Sequence, residues 1–88
     1  MEIKRTQASR KHKIDTHRVL DVLNNPTATD TFPAPVEGQD DRTVWVGDDS
    51  TGLALEVITV PLPDGRLLVL HAMPLRDKYR YLYEGTDR

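Results

Sequence analysis

Three apolar runs, separated by turns that contain glycine, lie within residues 42–71 and constrain the fold more than any other feature of this chain. The predicted strands are Thr43 to Gly47, Leu53 to Val60 and Leu67 to His71. Gly52 and Gly65 fall in the two connecting turns, and glycine accepts the positive φ that tight hairpins require. Consecutive strands joined by such short turns predict an antiparallel meander.

The third strand is predicted to be central and to end at a histidine. Strict alternation gives it two faces, with Leu67, Val69 and His71 on one and Leu68, Leu70 and Ala72 on the other. Because both faces begin with apolar residues, neighbours are expected on both sides of the strand.

A helix is predicted after this strand, because Pro74 suits the first turn of a helix and Gly85 suits its end. Its buried stripe would consist of Leu75, Tyr79, Leu82 and Tyr83. Arg76 and Arg80 are four residues apart and would share a different face of the helix. Because like charges in that register repel each other, this face would suit an anion.

The first half of the chain predicts helices followed by a loop. Residues 6–13 could form a short basic helix, and Asp15 to Asn24 has the apolar spacing of an amphipathic helix. Residues 27–41 contain two prolines and four acids and are predicted as a long acidic loop, with an edge strand near Phe32 as an option. Met1 to Arg5 leaves hardly any room for a strand.

These elements predict a single α+β domain over residues 1–88, since a chain of 88 residues supports one hydrophobic core. Its sheet would be a small antiparallel meander of three to four strands, packed with N-terminal helices and a C-terminal helix. The chain has no cysteine, so disulfides are excluded. No apolar run approaches the roughly 18 residues of a membrane helix, and the N-terminus lacks the apolar core of a signal peptide. We therefore expect a cytoplasmic protein with no membrane partner.

Charge is distributed unevenly along the chain. Residues 1–18 hold six basic and two acidic residues, a net charge of +4. Residues 19–70 hold two basic and nine acidic residues, a net charge of −7, and residues 71–88 hold four basic and three acidic residues, a net charge of +1. If the fold brings the two ends to one face, that face would attract phosphates.

Residue types near the C-terminus suit the cleavage of RNA. That reaction needs a base for the 2′-hydroxyl, an acid for the leaving 5′-oxygen and cations for the charge on phosphate. His71 is the candidate acid or base, because an imidazole ordinarily changes charge between pH 5 and 8. The candidate phosphate-binding residues are Arg76, Lys78 and Arg80, and Tyr79 or Tyr81 could stack on a base.

Several segments along the chain also match a known family in order and spacing. They are Lys11-His12-Lys13-Ile14, the helix end at Asn25-Pro26, the strand from Asp41-Arg42 to Gly47, Gly52 to Val57, Leu68 to Ala72, and the closing Tyr83-Glu84. In these respects the chain resembles the BrnT-type toxins, which are small ribonucleases of type II toxin–antitoxin systems with a RelE-like fold. It departs from them at Met73-Pro74, where the family typically has an arginine, and at Tyr79, where the family has a glutamate.

The resemblance implies an endoribonuclease toxin with RNA as its substrate and a cognate antitoxin as its protein partner. It adds Arg42 to the candidate catalytic residues, and it adds Lys11 and His12 to the candidate substrate-binding residues. No cofactor is implied. A metal site is not expected either, because His12 and His17 lie five residues apart with no local carboxylate at ligand spacing.

Other interpretations of the same residues remain open. The chain could be a non-catalytic member of that fold which binds RNA or a protein, or a small interaction or regulatory protein with a superficial resemblance. His71 could simply be a hydrogen-bonded histidine that joins strand to helix. Tyr79 and Tyr83 could pack in the core, and His12 could cap a helix or face solvent.

Overall fold

A computed structural model of the protein describes residues 1–85 and shows a five-stranded sheet. The strands are β1 (Ile3–Arg5), β2 (Ala28–Phe32), β3 (Arg42–Asp48), β4 (Ala54–Pro61) and β5 (Leu67–Pro74). The helices are α1 (Thr16–Asn24) and α2 (Arg80–Glu84), and short 3₁₀ turns cover Ala8–Arg10 and Asp77–Tyr79. The strand order is β1-β5-β4-β3-β2, with β1 parallel to β5 and the other neighbours antiparallel.

The hydrophobic core lies between α1 and one face of the sheet, which we call the core face. Val19, Val22 and Leu23 of α1 are buried at helical spacing, as the prediction of this helix required. They pack with Ile14 and with the buried strand residues Leu55, Val57, Val69 and Ala72. This part of the prediction is confirmed.

The prediction of a three- to four-stranded meander with N-terminal helices is wrong, because the sheet carries an additional strand at each edge. At one edge, β1 pairs in parallel with the start of β5, with Ile3 opposite Leu67 and Arg5 opposite Val69. Three residues are sufficient here because Ile3 also packs against the core. A parallel partner near the other end of the chain leaves no local pattern that would reveal it.

The second additional strand lies within the predicted acidic loop. β2 pairs antiparallel with β3 along its whole length, so the loop is reduced to residues 33–41. Thr29 and Thr31 are exposed and the alternate residues are half-buried, which is the pattern of a strand with one covered face. The option of an edge strand near Phe32 is therefore confirmed.

The predicted basic helix over residues 6–13 is wrong as well. Only Ala8–Arg10 forms a 3₁₀ turn, beside β5. The Ser9 hydroxyl donates to the Thr6 carbonyl at 2.7 Å, and the Arg5 guanidinium donates to the Ser9 carbonyl at 2.6 Å. These side chains occupy carbonyl groups that a continuing helix would use, so the segment forms a compact loop instead.

A β-bulge near the middle of β5 changes which face its later residues occupy. Val69 lies opposite Thr59, whereas His71 lies opposite Ile58, so Leu70 is an extra residue in the ladder. Thr59 and Ile58 are adjacent in β4 and point to opposite faces of the sheet. His71 is therefore on the opposite face from Val69, and the prediction that these two share a face is wrong.

The predicted C-terminal helix begins later than expected. β5 continues to Pro74, and regular α-helix begins only at Arg80, after the 3₁₀ turn. β1 accompanies β5 only as far as Val69, so no neighbouring strand needs the N–H that Pro74 lacks. Gly85 ends α2 with a φ of 70°, as predicted.

The segment after β5 crosses the opposite side of the sheet, which we call the second face. Its predicted apolar stripe is only half-buried, and none of the residues in α2 is fully buried. Tyrosines fasten it to β2 and β3: the Tyr79 ring lies 6.1 Å from the Phe32 ring, the Tyr81 hydroxyl donates to Asp30, and the Tyr83 hydroxyl donates to Asp48. No helix among residues 1–85 is long and apolar enough to cross a membrane.

A buried carboxylate joins the β3–β4 turn to α1. The Asp49 side chain is fully buried, and it accepts hydrogen bonds from Arg18 Nε at 2.7 Å, from the Thr51 N–H and hydroxyl, and from the Leu53 N–H. Burial alone would raise the pKa of Asp49, but these hydrogen bonds outweigh it and lower the pKa well below its usual range.

We expect the substitution Asp49→Ala to lower the free energy of unfolding by about 2 to 4 kcal/mol, because it leaves buried donors without an acceptor. Urea denaturation at neutral pH measures this loss. Asp64→Ala is the matched control, since Asp64 is an exposed turn aspartate that also binds a nearby arginine. A loss for Asp49→Ala no larger than that for Asp64→Ala would contradict a structural role for the buried carboxylate.

Candidate active site

A buried glutamate in the middle of the sheet organises the second face. Glu56 lies in β4 with 0% of its side chain exposed, between the buried residues Leu55 and Val57. Its Oε2 accepts hydrogen bonds from His71 Nε2 at 3.0 Å and from Arg76 Nε and Nη2 at 2.8 and 2.6 Å. Its Oε1 accepts the Arg76 backbone N–H at 2.7 Å. We call these three residues the Glu56 cluster.

Glu56 is ionised despite its burial. Removal from water would by itself raise the pKa of a carboxyl group. The hydrogen bonds from His71 and Arg76, together with the positive charge of Arg76, outweigh that effect and lower the pKa of Glu56 to about 2. An ionised carboxylate only accepts hydrogen bonds, so each of its partners must act as a donor.

The tautomer of His71 follows from this contact. Because Glu56 cannot donate, His71 Nε2 carries a proton, and in the neutral ring the lone pair is then on Nδ1. The bulge at Leu70 directs the imidazole to the second face, where 23% of the side chain is exposed. His71 is thus held by a carboxylate at one nitrogen and able to accept a proton at the other, which is the arrangement of an oriented general base.

Arg76 combines a fixed position with partial exposure. It precedes the 3₁₀ turn in an extended conformation. The prediction that Arg76 and Arg80 share a helical face is therefore wrong. Its side chain remains 39% exposed although two of its nitrogens bind Glu56, and the same hydrogen bonds raise the pKa of Arg76. Within residues 1–85 its Nη1 has no hydrogen-bonding partner, so this nitrogen can bind an anion.

The N-terminal basic segment reaches the same place. The His12 ring lies edge-on to the His71 ring, with their centroids 6.1 Å apart. His12 follows the 3₁₀ turn that packs beside β5, and it is half-buried. Lys11 is exposed and makes no ion pair within the described part of the chain. Two imidazoles from opposite ends of the chain therefore share one site.

A second cationic group lies next to the cluster. Lys78 Nζ is 5.1 Å and Arg76 Cζ is 5.7 Å from the centre of the Tyr79 ring, within the range of cation–π attraction. The Tyr79 ring also contacts Phe32 and is half-buried, so it lies between the sheet and the two cations. The structure therefore places Arg76, Lys78 and Tyr79 together.

The remaining C-terminal candidates are engaged elsewhere. Arg80 binds Asp77 and Glu84 on its own segment, with N–O distances of 3.2 and 3.7 Å. The Tyr81 hydroxyl donates to Asp30 at 3.1 Å, which fastens it to β2. Arg80 is thus paired with acids of its own segment, and Tyr81 is bound to an aspartate of β2.

Arg42 lies at the start of β3, two residues before Val44, which is opposite Ile58. It lines an open pocket on the second face instead of joining the Glu56 cluster. Among residues 1–85 no hydrogen bond or ion pair links Arg42 to the Glu56 cluster.

Glu56 is the candidate site residue that inspection of the sequence missed. A signal for it exists, because it is the only charged residue in the apolar run from Leu53 to Val60. A charge buried in such a strand requires partners, but the sequence does not identify them. The partners, His71 and Arg76, come from a strand and a turn that follow it along the chain.

Comparison with known proteins adds no assignment. No protein-family model matches the chain, and no curated protein and no solved structure is significantly similar to it. The function of the site must therefore be argued from its geometry and its chemistry.

The lowered pKa of Glu56 predicts how stability depends on pH. The ionised carboxylate contributes stability that is fully present above its usual pKa of 4.5 and is lost as the pH falls towards 2. We expect Glu56→Gln to lower the free energy of unfolding by about 2 to 3 kcal/mol at pH 7, and the difference from the natural protein to narrow below pH 4.

Urea denaturation at several pH values measures this difference. Glu37→Gln removes a charge from an exposed loop position and serves as the control, with no comparable pH-dependent difference expected. A difference between the Glu56→Gln variant and the natural protein that stays constant from pH 7 to pH 3 would contradict an ionised, hydrogen-bonded Glu56.

Proposed function

We propose that this protein is an endoribonuclease that cleaves single-stranded RNA at the Glu56 cluster. The observation that carries the proposal is the pair of imidazoles on the second face, one of them held by a buried carboxylate. Arg76 and Lys78 supply positive charge at the same place. Acid–base groups together with cations are what phosphodiester cleavage by a neighbouring hydroxyl requires.

Each group acts in the reaction through a particular atom. His71 Nδ1 takes the proton of the ribose 2′-hydroxyl, and the 2′-oxygen forms a bond to phosphorus. The bond from phosphorus to the 5′-oxygen breaks, and protonated His12 gives its proton to that oxygen. Arg76 Nη1 and Lys78 stabilise the negative charge on the phosphate oxygens. The products are a 2′,3′-cyclic phosphate and a free 5′-hydroxyl.

Glu56 acts as a positioning residue in this scheme. By accepting the Nε2 proton it fixes the ring orientation and stabilises the imidazolium that forms when Nδ1 is protonated. By binding Nε and Nη2 of Arg76 it leaves the third guanidinium nitrogen for the phosphate. One buried carboxylate therefore orients both the base and the principal cation.

The biological role that we propose is that of a toxin neutralised by a cognate antitoxin. The support for this role is the resemblance of the segments around Lys11-His12, Arg42 and His71 to the BrnT-type toxins. An RNA-cleaving activity would account for toxicity, since degradation of RNA stops protein synthesis. Growth arrest on expression, abolished by His71→Ala and relieved by a co-expressed antitoxin, is the corresponding observation in cells.

Purified protein is expected to cleave a single-stranded oligoribonucleotide and to leave a 2′,3′-cyclic phosphate. His71→Ala and His12→Ala should each slow cleavage about 10²- to 10⁴-fold, because each removes one proton-transfer group. His17→Ala is the matched control, since His17 is exposed on α1, and it should leave the rate unchanged. A substrate with a 2′-deoxyribose at the cleavage site should not be cut.

The dependence of the cleavage rate on pH distinguishes the general base from the general acid. A base must be deprotonated and an acid protonated, so kcat/KM should be bell-shaped. Loss of His71 should remove the acidic limb of the profile, and loss of His12 should remove the alkaline limb. RNA that binds but is not cut by the natural protein at micromolar concentration would overturn the enzymatic proposal and favour a non-catalytic RNA-binding module.

A further inference from the structure

An open pocket lies on the second face directly beside the Glu56 cluster. Its volume is about 320 Å³, at the lower end of the range for small-molecule sites. Its lining residues are Gly38, Gln39, Asp40, Arg42, Val60 and Leu70. The loop of residues 33–41 forms one wall, and the strands β3, β4 and β5 supply the rest.

The β-bulge joins this pocket to the site of cleavage. Leu70 is the extra residue of the bulge and lines the pocket, and the next residue along the chain is His71. Adjacent Cα atoms are about 3.8 Å apart, so the pocket and His71 lie within the reach of a single nucleotide. A base in the pocket could therefore belong to the same nucleotide as a phosphate at His71.

Two charged side chains of the pocket have no partners among the residues that the structure describes. Neither the Arg42 guanidinium nor the Asp40 carboxylate makes a hydrogen bond or ion pair with any other residue between 1 and 85, and the two do not pair with each other. By contrast, Asp41, the residue between them, accepts a hydrogen bond from the Ala34 N–H. The pocket thus presents the Arg42 guanidinium as a donor and the Asp40 carboxylate as an acceptor, with Val60 and Leu70 as its apolar lining.

This combination matches guanine better than the other bases. Guanine has two acceptors, O6 and N7, which a guanidinium can bind together. On its Watson–Crick edge it also has two adjacent donors, N1–H and the N2 amino group, and a single carboxylate can accept both. Adenine, cytosine and uracil lack that pair of adjacent donors. Single-stranded RNA exposes these edges, because its bases can be splayed out of the stack.

We propose that this pocket binds guanine and selects the nucleotide whose phosphate is cleaved. Arg42 binds O6 and N7, Asp40 accepts from N1–H and N2, and the base rests on Val60 and Leu70. The inference rests on the proposed RNA cleavage for its biological meaning, but binding of the nucleotide is a separate property that can be measured without cleavage. Arg42 is then a specificity residue and not part of the acid–base chemistry.

Calorimetric titration of the full chain with guanosine 3′-monophosphate tests the proposal, since this nucleotide has no 5′-leaving group and cannot be cleaved. We expect it to bind about tenfold or more tightly than adenosine, cytidine or uridine 3′-monophosphate. Asp40→Asn and Arg42→Gln should each reduce the preference to about threefold or less. Glu37→Gln lies in the same loop outside the pocket and should keep the preference unchanged.

The outcomes separate this inference from the proposed function. Selective binding of the guanine nucleotide without RNA cleavage would support the pocket and overturn the nuclease. Cleavage after all four bases at equal rates, or equal binding of the four nucleotides, would overturn the pocket and leave the nuclease standing. No binding at millimolar concentration, or a preference that survives both Asp40→Asn and Arg42→Gln, would also overturn the pocket.

Discussion

The burial of one carboxylate determines how the last third of the chain is arranged. An ionised glutamate inside a sheet is costly unless every lone pair that lost water finds a donor. Glu56 meets this requirement with the His71 imidazole and with three N–H groups of Arg76. Because both the backbone N–H and the side chain of Arg76 bind Glu56, this residue stays extended and helical structure begins only after it.

The same requirement explains why the Glu56 cluster looks like a functional site and not a stability device. A buried ion pair is often no more stable than well-packed apolar residues of similar volume. Here the partners of Glu56 keep a substantial part of their side chains exposed, and each retains a nitrogen that the carboxylate does not use. The carboxylate is thus sequestered from solvent while the groups that it orients remain accessible, which is the usual division between positioning and reacting residues.

Local patterns in the sequence were sufficient for the elements that depend on neighbouring residues. The spacing of Val19, Val22 and Leu23 identified α1, and glycine-containing turns identified β3, β4 and the first part of β5. The two missed strands have different explanations. β1 exists because a strand near the other end of the chain is available to pair with it, and β2 is polar enough to look like a loop.

The residues of the candidate site were also predictable only in part. His71, Arg76, Lys78 and Tyr79 were recognised by residue type, and His12 was recognised by resemblance to a family; the structure brings all five together. The bulge at Leu70 has no glycine or proline to mark it, so the face occupied by His71 was predicted incorrectly. The prediction that Arg80 binds phosphate did not consider the acidic residues of its own segment, which pair with it.

The central claim is that Glu56 fixes the protonation of the His71 ring so that Nδ1 is the free base, and NMR of the ¹⁵N-labelled protein tests it most directly. At a pH at which this imidazole is neutral, the account predicts a protonated Nε2 and a pyridine-like Nδ1 for His71. The Glu56→Gln variant should lose this preference, since its amide can either donate or accept. A proton on Nδ1 of His71 in the natural protein, or rapid averaging between the two tautomers, would contradict the account.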